Sequence, residues 1–434
     1  MTHISIPTAR IIGVLDNGPD GLSPAALAHI ARADLIIGAR RTLALFEEVF
    51  APQAKQRDLG EGLTKVPQWI ETARAQHLRV VVLATGDPLC HGIGRYLIGK
   101  LGLQQCEVIP NVSTLQLAFA RLGLVWQNAA ICSAHSKDAG EWSTSAGPEH
   151  GLYPVLQTVR GNDLTALFTS PENSPDRIAR MLLAAGLGEE LTMSVAEKLS
   201  TAQERIIPLL PLAEAATQQF ADPNVVILQR RQKNQNPAVL FGLTDQQFAQ
   251  RKPDKGLITK REVRAVSLAR LQLRPDSIVW DIGAGSGSVG LEAARLCHLG
   301  FVYAIEKNEA DVAIACQNRQ QMAITNYRVQ HGKAPQHLAD WPDPDAVFFG
   351  GSGGELGELI RLCLARMNAD GWLVMNFVTL ENLSLATDTL KALNAQWDVT
   401  QLQANRSQPI LHMHRMAAEN PVWIVCAQRG NTSE

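Results

Sequence analysis

The stretch Val279-Trp280-Asp281-Ile282-Gly283-Ala284-Gly285-Ser286-Gly287-Ser288-Val289-Gly290 decides the fold of the second half of the chain. An apolar strand runs into three alternating glycines and then into a helix expected over Val289–Cys297. Glycines at such a junction let the backbone turn tightly and approach a ligand with no side chain in the way. The helix N-terminus adds N–H groups that have no partner within the helix. The next strand ends in Ala304-Ile305-Glu306-Lys307. A carboxylate at Glu306 can accept hydrogen bonds from both hydroxyls of a ribose, as nucleoside-bearing cofactors require on a doubly wound sheet. Gly285–Gly290 also satisfies G-x-G-x-x-G, so a nicotinamide or flavin oxidoreductase stays open on that motif alone, as does a purely structural turn.

Working outward, the second half reads as strands Ser277–Asp281, Phe301–Glu306, Asn326–Gln330, Ala346–Phe349, Trp372–Phe377 and Val422–Ala427, with helical patterns between them. The first half repeats this α/β texture with strands at Arg10–Leu15, Asp34–Gly38, Arg79–Thr85, Cys106–Pro110, Leu164–Thr169, Leu191–Glu197 and Asn224–Gln229. Helices are expected over Pro24–Ala33 and Pro175–Ala185, the latter opened by Ser174 as N-cap and a proline in its first turn. The halves show no internal repeat. Arg230–Gly256, rich in Gln, Asn, Lys and Pro, reads as a linker and an arm, placing the domains at 1–235 and 236–434.

Composition narrows the function. The 434 residues are 46% hydrophobic and 19% charged, with a formal net charge of −2, which gives no basic stripe for nucleic acid. The seven cysteines are scattered and never spaced C-x-x-C, which argues against a zinc ribbon or a disulfide framework. No metal cluster is expected. The first residues do not read as a signal peptide and no long apolar run suggests a membrane span, so a cytoplasmic protein is expected.

Asp281 stands directly before the glycines, where it can face the methionine end of S-adenosylmethionine, and the block lies deep in the chain after an arm. In both respects it resembles the acidic-x-G-x-G-x-G loop of Rossmann-like methyltransferases. An Asn/Asp-Pro-Pro-aromatic patch is missing at Asp345–Gly354, which argues against N-methylation of nucleic-acid bases. From Gly256-Leu257-Ile258-Thr259-Lys260-Arg261-Glu262 to Asn420-Pro421-Val422-Trp423, the second half resembles precorrin methyltransferases that act at carbon 15 and decarboxylate the C12 acetate. The first half resembles the tetrapyrrole methylase family, in particular its carbon-5 members. The matching segments include Ile11-Ile12-Gly13-Val14, Thr85-Gly86-Asp87-Pro88-Leu89, Ile109-Pro110-Asn111-Val112-Ser113-Thr114 and Phe168-Thr169-Ser170-Pro171. Their order is that of the fused corrin-pathway enzymes.

The resemblance implies a two-lobed tetrapyrrole methylase fold followed by a Rossmann-like fold, with S-adenosyl-L-methionine as cofactor. It implies two C-methylations of precorrin-6Y (precorrin-6B), at C5 and C15, with loss of the C12 acetate carboxyl to give precorrin-8. The same folds acting on another substrate are the alternative. Cofactor contacts are expected at Gly86, Asp87, Ser113 and Thr114 in the first half. In the second they are expected at Thr259, Asp281, Gly283, Ala284, Gly285, Ser286, Gly287, Glu306 and Ala334. A substrate fringed with carboxylates calls for cationic side chains. The candidates are Lys260, Arg264, Arg406, His412, His414 and Arg415, the run Arg406–Arg415 being dense in donors. A homo-oligomer is also implied.

Two departures stand out. Asn111 replaces a usual glycine; Asn tolerates left-handed backbone better than most residues, so the turn is expected to survive. Ser133-Ala134-His135-Ser136-Lys137 carries Lys where the family has Arg, exchanging a planar fork for a point charge. Asp138–Tyr153 reads as a loose loop.

Overall fold

The computed structural model describes residues 7–135, 137–144, 146–231, 239–251, 258–351 and 354–430. The domain boundary expected near 235, the first residues of the resemblance at Gly256-Leu257, Ser136, and Ser352-Gly353 in the second glycine-rich loop lie outside them. The chain divides into two compact units, Met1–Thr144 with His150–Lys233, and Ser145–Glu149 with Asn234–Glu434.

The first unit holds two sheets. One is all parallel, in the order β3-β2-β4-β1-β5, built from β1 (Ala9–Val14), β2 (Leu35–Gly38), β3 (Lys55–Asp58), β4 (Val80–Thr85) and β5 (Cys106–Ile109). β4 reads Val-Val-Val-Leu-Ala-Thr, and its first five residues are at most 8% exposed. Such an unbroken apolar run suits a parallel strand covered on both faces. The second sheet, β6-β7-β10-β8-β9, is mostly antiparallel: β6 (Ala130–Ser133), β7 (Leu164–Phe168), β8 (Leu191–Glu197), β9 (Arg205–Pro211) and β10 (Asn224–Arg230).

The second unit is a seven-stranded sheet in the order β13-β12-β11-β14-β15-β19-β16. Its parallel strands are β11 (Ile278–Ile282), β12 (Phe301–Glu306), β13 (Tyr327–His331), β14 (Ala346–Phe349) and β15 (Trp372–Phe377). β16 (Gln396–Leu402) and β19 (Val422–Gln428) close its edge in antiparallel pairs. β17 (Asn405–Ile410) and β18 (Met413–Ala418) form a separate hairpin. Strand order reverses between β11 and β14, and ligands of open α/β sheets bind outside the carboxyl ends of strands at such a switch point.

The described residues 239–251 form the arm that leads into the second unit. Leu243 and Phe248 are at most 6% exposed and belong to the apolar core around β11, β12 and the helix Ser288–Leu296. This arm is part of the second unit. Asp138–Tyr153 has no helix or strand before the helix Tyr153–Gly161, but it is tethered. Glu141 pairs with Arg180 at 2.8 Å, and Trp142 meets the His150 ring edge-on at 4.8 Å. No helix among the described residues is long and apolar enough to cross a membrane.

Candidate active sites

In the second unit the loops after β11, β12, β13 and β14 meet backbone to backbone. Gly283 sits at φ +73°, and a Cβ there would lie 2.5 Å from the Gly351 carbonyl oxygen. Gly350 N donates to the Ile282 carbonyl at 2.9 Å. Only Gly283, Ala284 and Gly285 at the loop's tip are partly exposed, while Ser286 and Gly287 are buried. Gly287 caps the helix Ser288–Leu296 with positive φ, and a Cβ on it would lie 2.9 Å from the hydroxyl of buried Tyr327.

Glu306, 7% exposed, is fixed at the end of β12. Its Oε2 accepts from Gly285 N and its Oε1 from Asn308 N, both at 2.9 Å. Each carboxylate oxygen has a further lone pair for a hydroxyl. Gly332 N donates to the Glu306 carbonyl at 3.0 Å, which draws in the loop carrying Ala334. Ala334 is 8% exposed. Thr259 is half-buried, and its carbonyl accepts from Arg264 at 2.6 Å.

Asp281 departs from expectation. It is 1% exposed, and its Oδ2 accepts from Gly290 N at 3.1 Å, beneath the loop. The side chain caps an amide of the helix's first turn from the strand below and does not face a bound cofactor. Burial pushes its carboxyl up to about 7; the Gly290 N–H opposes this, and the Glu306 charge adds to it. Its Oδ1, Ser286 Oγ and the Tyr327 hydroxyl are buried without a hydrogen-bond partner among the described residues.

The structure disperses the expected substrate-side cations. Arg264 is fully buried, its Nε donating to Glu292 at 2.8 Å and its Nη1 to Asp245 at 3.2 Å, and it also donates to the Leu243 carbonyl. Its guanidinium lies 4.8 Å over the Phe248 ring. With every neighbour a protein group, Arg264 is a tether between the arm and the core, and its reading as a substrate contact is corrected. Arg406 on β17 is held by Asp245 at 2.9 Å and by both oxygens of Glu262, and this guanidinium pulls the Glu262 carboxyl below its ordinary value. Those ion pairs also make Arg406 a tether. His412 and His414 are exposed on the hairpin, and Arg415 donates to Gln408 at 3.3 Å. The dense run is therefore a hairpin with a tethered base, and no convergent cluster forms. Lys260, at the N-cap of the helix Arg261–Arg270, has no side-chain partner among the described residues.

Sequence reasoning missed the two residues that dock the arm. Glu292, 0% exposed, accepts from Gly242 N and Leu243 N besides Arg264. Asn318 exchanges hydrogen bonds with Ala249 and donates to the Ser286 carbonyl at 2.8 Å, joining the arm to the glycine loop. A carboxylate within the apolar stretch Val289–Ala294 was the available signal for Glu292.

In the first unit, three strand ends converge. Gly86 N donates to the Val14 carbonyl at 2.7 Å. A Cβ on Gly86, at φ +68°, would lie 3.3 Å from Thr114 N, and one on Gly13 would lie 2.2 Å from the Gly86 carbonyl oxygen. Gly86 is thus held against Ser113 and Thr114 in a backbone cradle. Asp87 accepts from Leu89 N at 2.8 Å, and Ser113 caps the helix Thr114–Leu122 in a capping box with Gln116. Asn111 is not among the residues of positive φ. Its side-chain amide donates to the carbonyls of Gly13 and Gly21, at 3.2 and 3.1 Å. The substitution replaces a bare turn with a tether across the cradle. In the departing stretch, His135 Nδ1 lies 3.3 Å from the Thr169 carbonyl, and Asn173 donates to the carbonyls of Ala134 and Lys137.

A glycine cradle at a sheet's switch point with a ribose-type carboxylate beside it is the site of a nucleoside-bearing cofactor on an α/β sheet, and the family matches of the two halves make the chain an enzyme of the methyltransferase class, built from two folds in tandem. Residues 10–216 match the family described as tetrapyrrole (corrin/porphyrin) methylases, and residues 252–429 match the precorrin methyltransferase domain. The chain is 29% identical over 384 residues to precorrin-6Y C(5,15)-methyltransferase (decarboxylating) of a Sinorhizobium species, covering 88% of this chain and 87% of that one. Its relatives in Salmonella typhimurium strain LT2 are separate proteins. Cobalt-precorrin-6B C(15)-methyltransferase (decarboxylating) is 38% identical over 40% of this chain and 89% of its own length, and cobalt-precorrin-7 C(5)-methyltransferase is 32% identical over 51% of this chain and all of its own length. The chain belongs to the precorrin-6Y C(5,15)-methyltransferase (decarboxylating) family.

Proposed function

We propose that this chain is the bifunctional enzyme of corrin biosynthesis that methylates precorrin-6Y at C5 and C15 with S-adenosyl-L-methionine and removes the C12 acetate carboxyl, giving precorrin-8. The 1–235 region carries the C5 reaction; the 236–434 region carries the C15 reaction and the decarboxylation. One observation carries the reading: each half matches its own methyltransferase family and is similar to a separate protein, one acting at C5 and one at C15 with decarboxylation.

S-adenosyl-L-methionine would supply an electrophilic methyl on a sulfonium. The residues of the second unit fit it: Gly283, Ala284 and Gly285 leave the loop's tip open, and Glu306 has lone pairs for ribose hydroxyls. Ala334 would lie against the adenine, while Thr259 and Ser286 hold the loop's surroundings and Asp281 supports it from below. In the first unit Gly86, Asp87, Ser113 and Thr114 form the corresponding cradle. The chain's part in both methylations is to hold two reactants in attack geometry. Lys260 is the cation we assign to the acetate carboxylate. The protein works in the cytoplasm as a homo-oligomer in this reading.

The test is the mass of the tetrapyrrole after incubation with reduced precorrin-6 and S-adenosylmethionine. Gain of two methyl groups with loss of one carbon dioxide is expected. An unchanged tetrapyrrole mass, with the cofactor bound, would retain the folds and reject the substrate.

A further inference from the structure

The first unit holds a cavity of about 760 Å³ that begins three residues past Gly86. This lies within the range of small-molecule sites. One wall is the helix Ile93–Leu101, which contributes Arg95, Tyr96, Gly99 and Lys100; Ile131 on β6 of the second sheet also lines it. The cavity therefore spans both sheets of this unit, next to the cradle.

Its charge is one-sided. Arg95 and Lys100 are both exposed, and no aspartate or glutamate lines the cavity. Arginines in this unit are otherwise engaged. Among its described residues, every arginine side chain except Arg32, Arg95 and Arg231 has a hydrogen-bond or ion-pair partner. Of those three, only Arg95 lines the cavity.

Its shape matches the charge. Arg95 and Gly99 are four residues apart and share a helix face. A Cβ on Gly99 would find nothing within 4 Å, so the surface beside the two cations is open there. An open floor with a guanidinium and an ammonium at its rim suits the edge of a macrocycle fringed with carboxylates. Arg can fork onto one carboxylate while Lys serves another as a point charge.

We infer that this cavity docks the carboxylate-bearing rim of the tetrapyrrole for the first methylation, with Arg95 and Lys100 as the cations that set the substrate's register. The inference rests on the tetrapyrrole reading above. These are positioning residues that bind the substrate equally before and during methyl transfer, so their loss should raise KM and leave kcat nearly unchanged.

The experiment uses the full-length Arg95→Gln/Lys100→Gln protein, with Arg32→Gln as the control for an exposed, unpartnered guanidinium outside the cavity. Expected is a rise in KM for C5 methylation of roughly 10- to 100-fold, kcat within about threefold, and a weaker dependence of KM on salt. C15 methylation should be unaffected. Titration with uroporphyrin, a carboxylate-fringed tetrapyrrole followed by its absorbance, should show at least about tenfold weaker binding, a loss of about 1.4 kcal/mol. Gly99→Trp, which fills the floor without touching charge, should raise the same KM. Unchanged KM and uroporphyrin affinity in both variants would overturn the inference, as would a fall in kcat with no change in KM. A wild-type protein that leaves precorrin untouched but binds uroporphyrin through Arg95 and Lys100 would reject the proposed reaction and keep the docking site.

Discussion

Replacing Arg264 by Met tests whether the arm is part of the second unit's core. Arg264 and Glu292 are both 0% exposed, with Nε and Oε1 2.8 Å apart. Met fills much of the volume but leaves Glu292 as a buried charge whose remaining donors are the Gly242 and Leu243 amides. It also strands the Thr259 and Leu243 carbonyls that Arg264 now serves. Breaking a buried pair from one side costs about 3–5 kcal/mol. In a unit of about 200 residues each kcal/mol moves the midpoint by about 2–4 °C, so a fall of roughly 6–20 °C is expected. Calorimetry of the whole chain reads it, with proteolytic cleavage of the 239–251 arm as a local report. Arg264→Met/Glu292→Met should recover part of the loss, because no charge is then left buried alone. A midpoint within about 2 °C of wild type in the single variant would refute the tether and reopen Arg264 as a substrate contact.

Gly283→Ala should weaken S-adenosylmethionine binding in the second unit at least about tenfold and destabilise that unit by about 1–3 kcal/mol, because a Cβ meets the Gly351 carbonyl oxygen at 2.5 Å on a backbone of positive φ; calorimetric titration and thermal melting measure both. Asp281 should make stability fall as pH rises. Its folded carboxyl titrates at about 7 against an ordinary value of 3.8, so between those pH values the native chain holds a proton that the unfolded chain lacks. Asp281→Asn should flatten that decline between about pH 4 and 7 in urea unfolding, and an unchanged slope would count against the assignment. Asn111→Ala should cost the first unit about 1–2 kcal/mol through its two lost tethers, with the C5 reaction weakened and the C15 reaction intact, as product masses would show.

Much of the fold could be read from apolar runs. β4 and β12 are buried on both faces, and their continuous hydrophobic sequences gave strand positions within a residue or two. The elements that escaped have no such pattern. β3 reads Lys-Gln-Arg-Asp and pairs only with β2 at the sheet's edge, so nothing in its side chains reports burial. β16 is half-exposed along its length, and the hairpin β17–β18 is mostly exposed, which let its Arg and His residues pass for a substrate-binding cluster. In the cradle, glycine spacing located the loop because only glycine tolerates the approach of Gly351. The same spacing could not show which way Asp281 points, since that is set by the Gly290 amide brought beside it by the helix. Arg264 misled for a related reason: its partners Asp245 and Glu292 are 19 and 28 residues away, and a cation's neighbours at that distance are invisible without the fold.

The central claim is that one chain holds two separable methyl-transfer sites, and the product made by the Gly285→Arg protein tests it most directly. Arginine at φ +55°, next to Glu306, blocks the second cradle and leaves the first untouched. Given reduced precorrin-6 and S-adenosylmethionine, this protein should yield a tetrapyrrole heavier by at most one methyl group, with its carbon dioxide retained. Two methyl groups gained with carbon dioxide lost would contradict the account, because the glycine loop of the second unit would then have no part in the chemistry assigned to it.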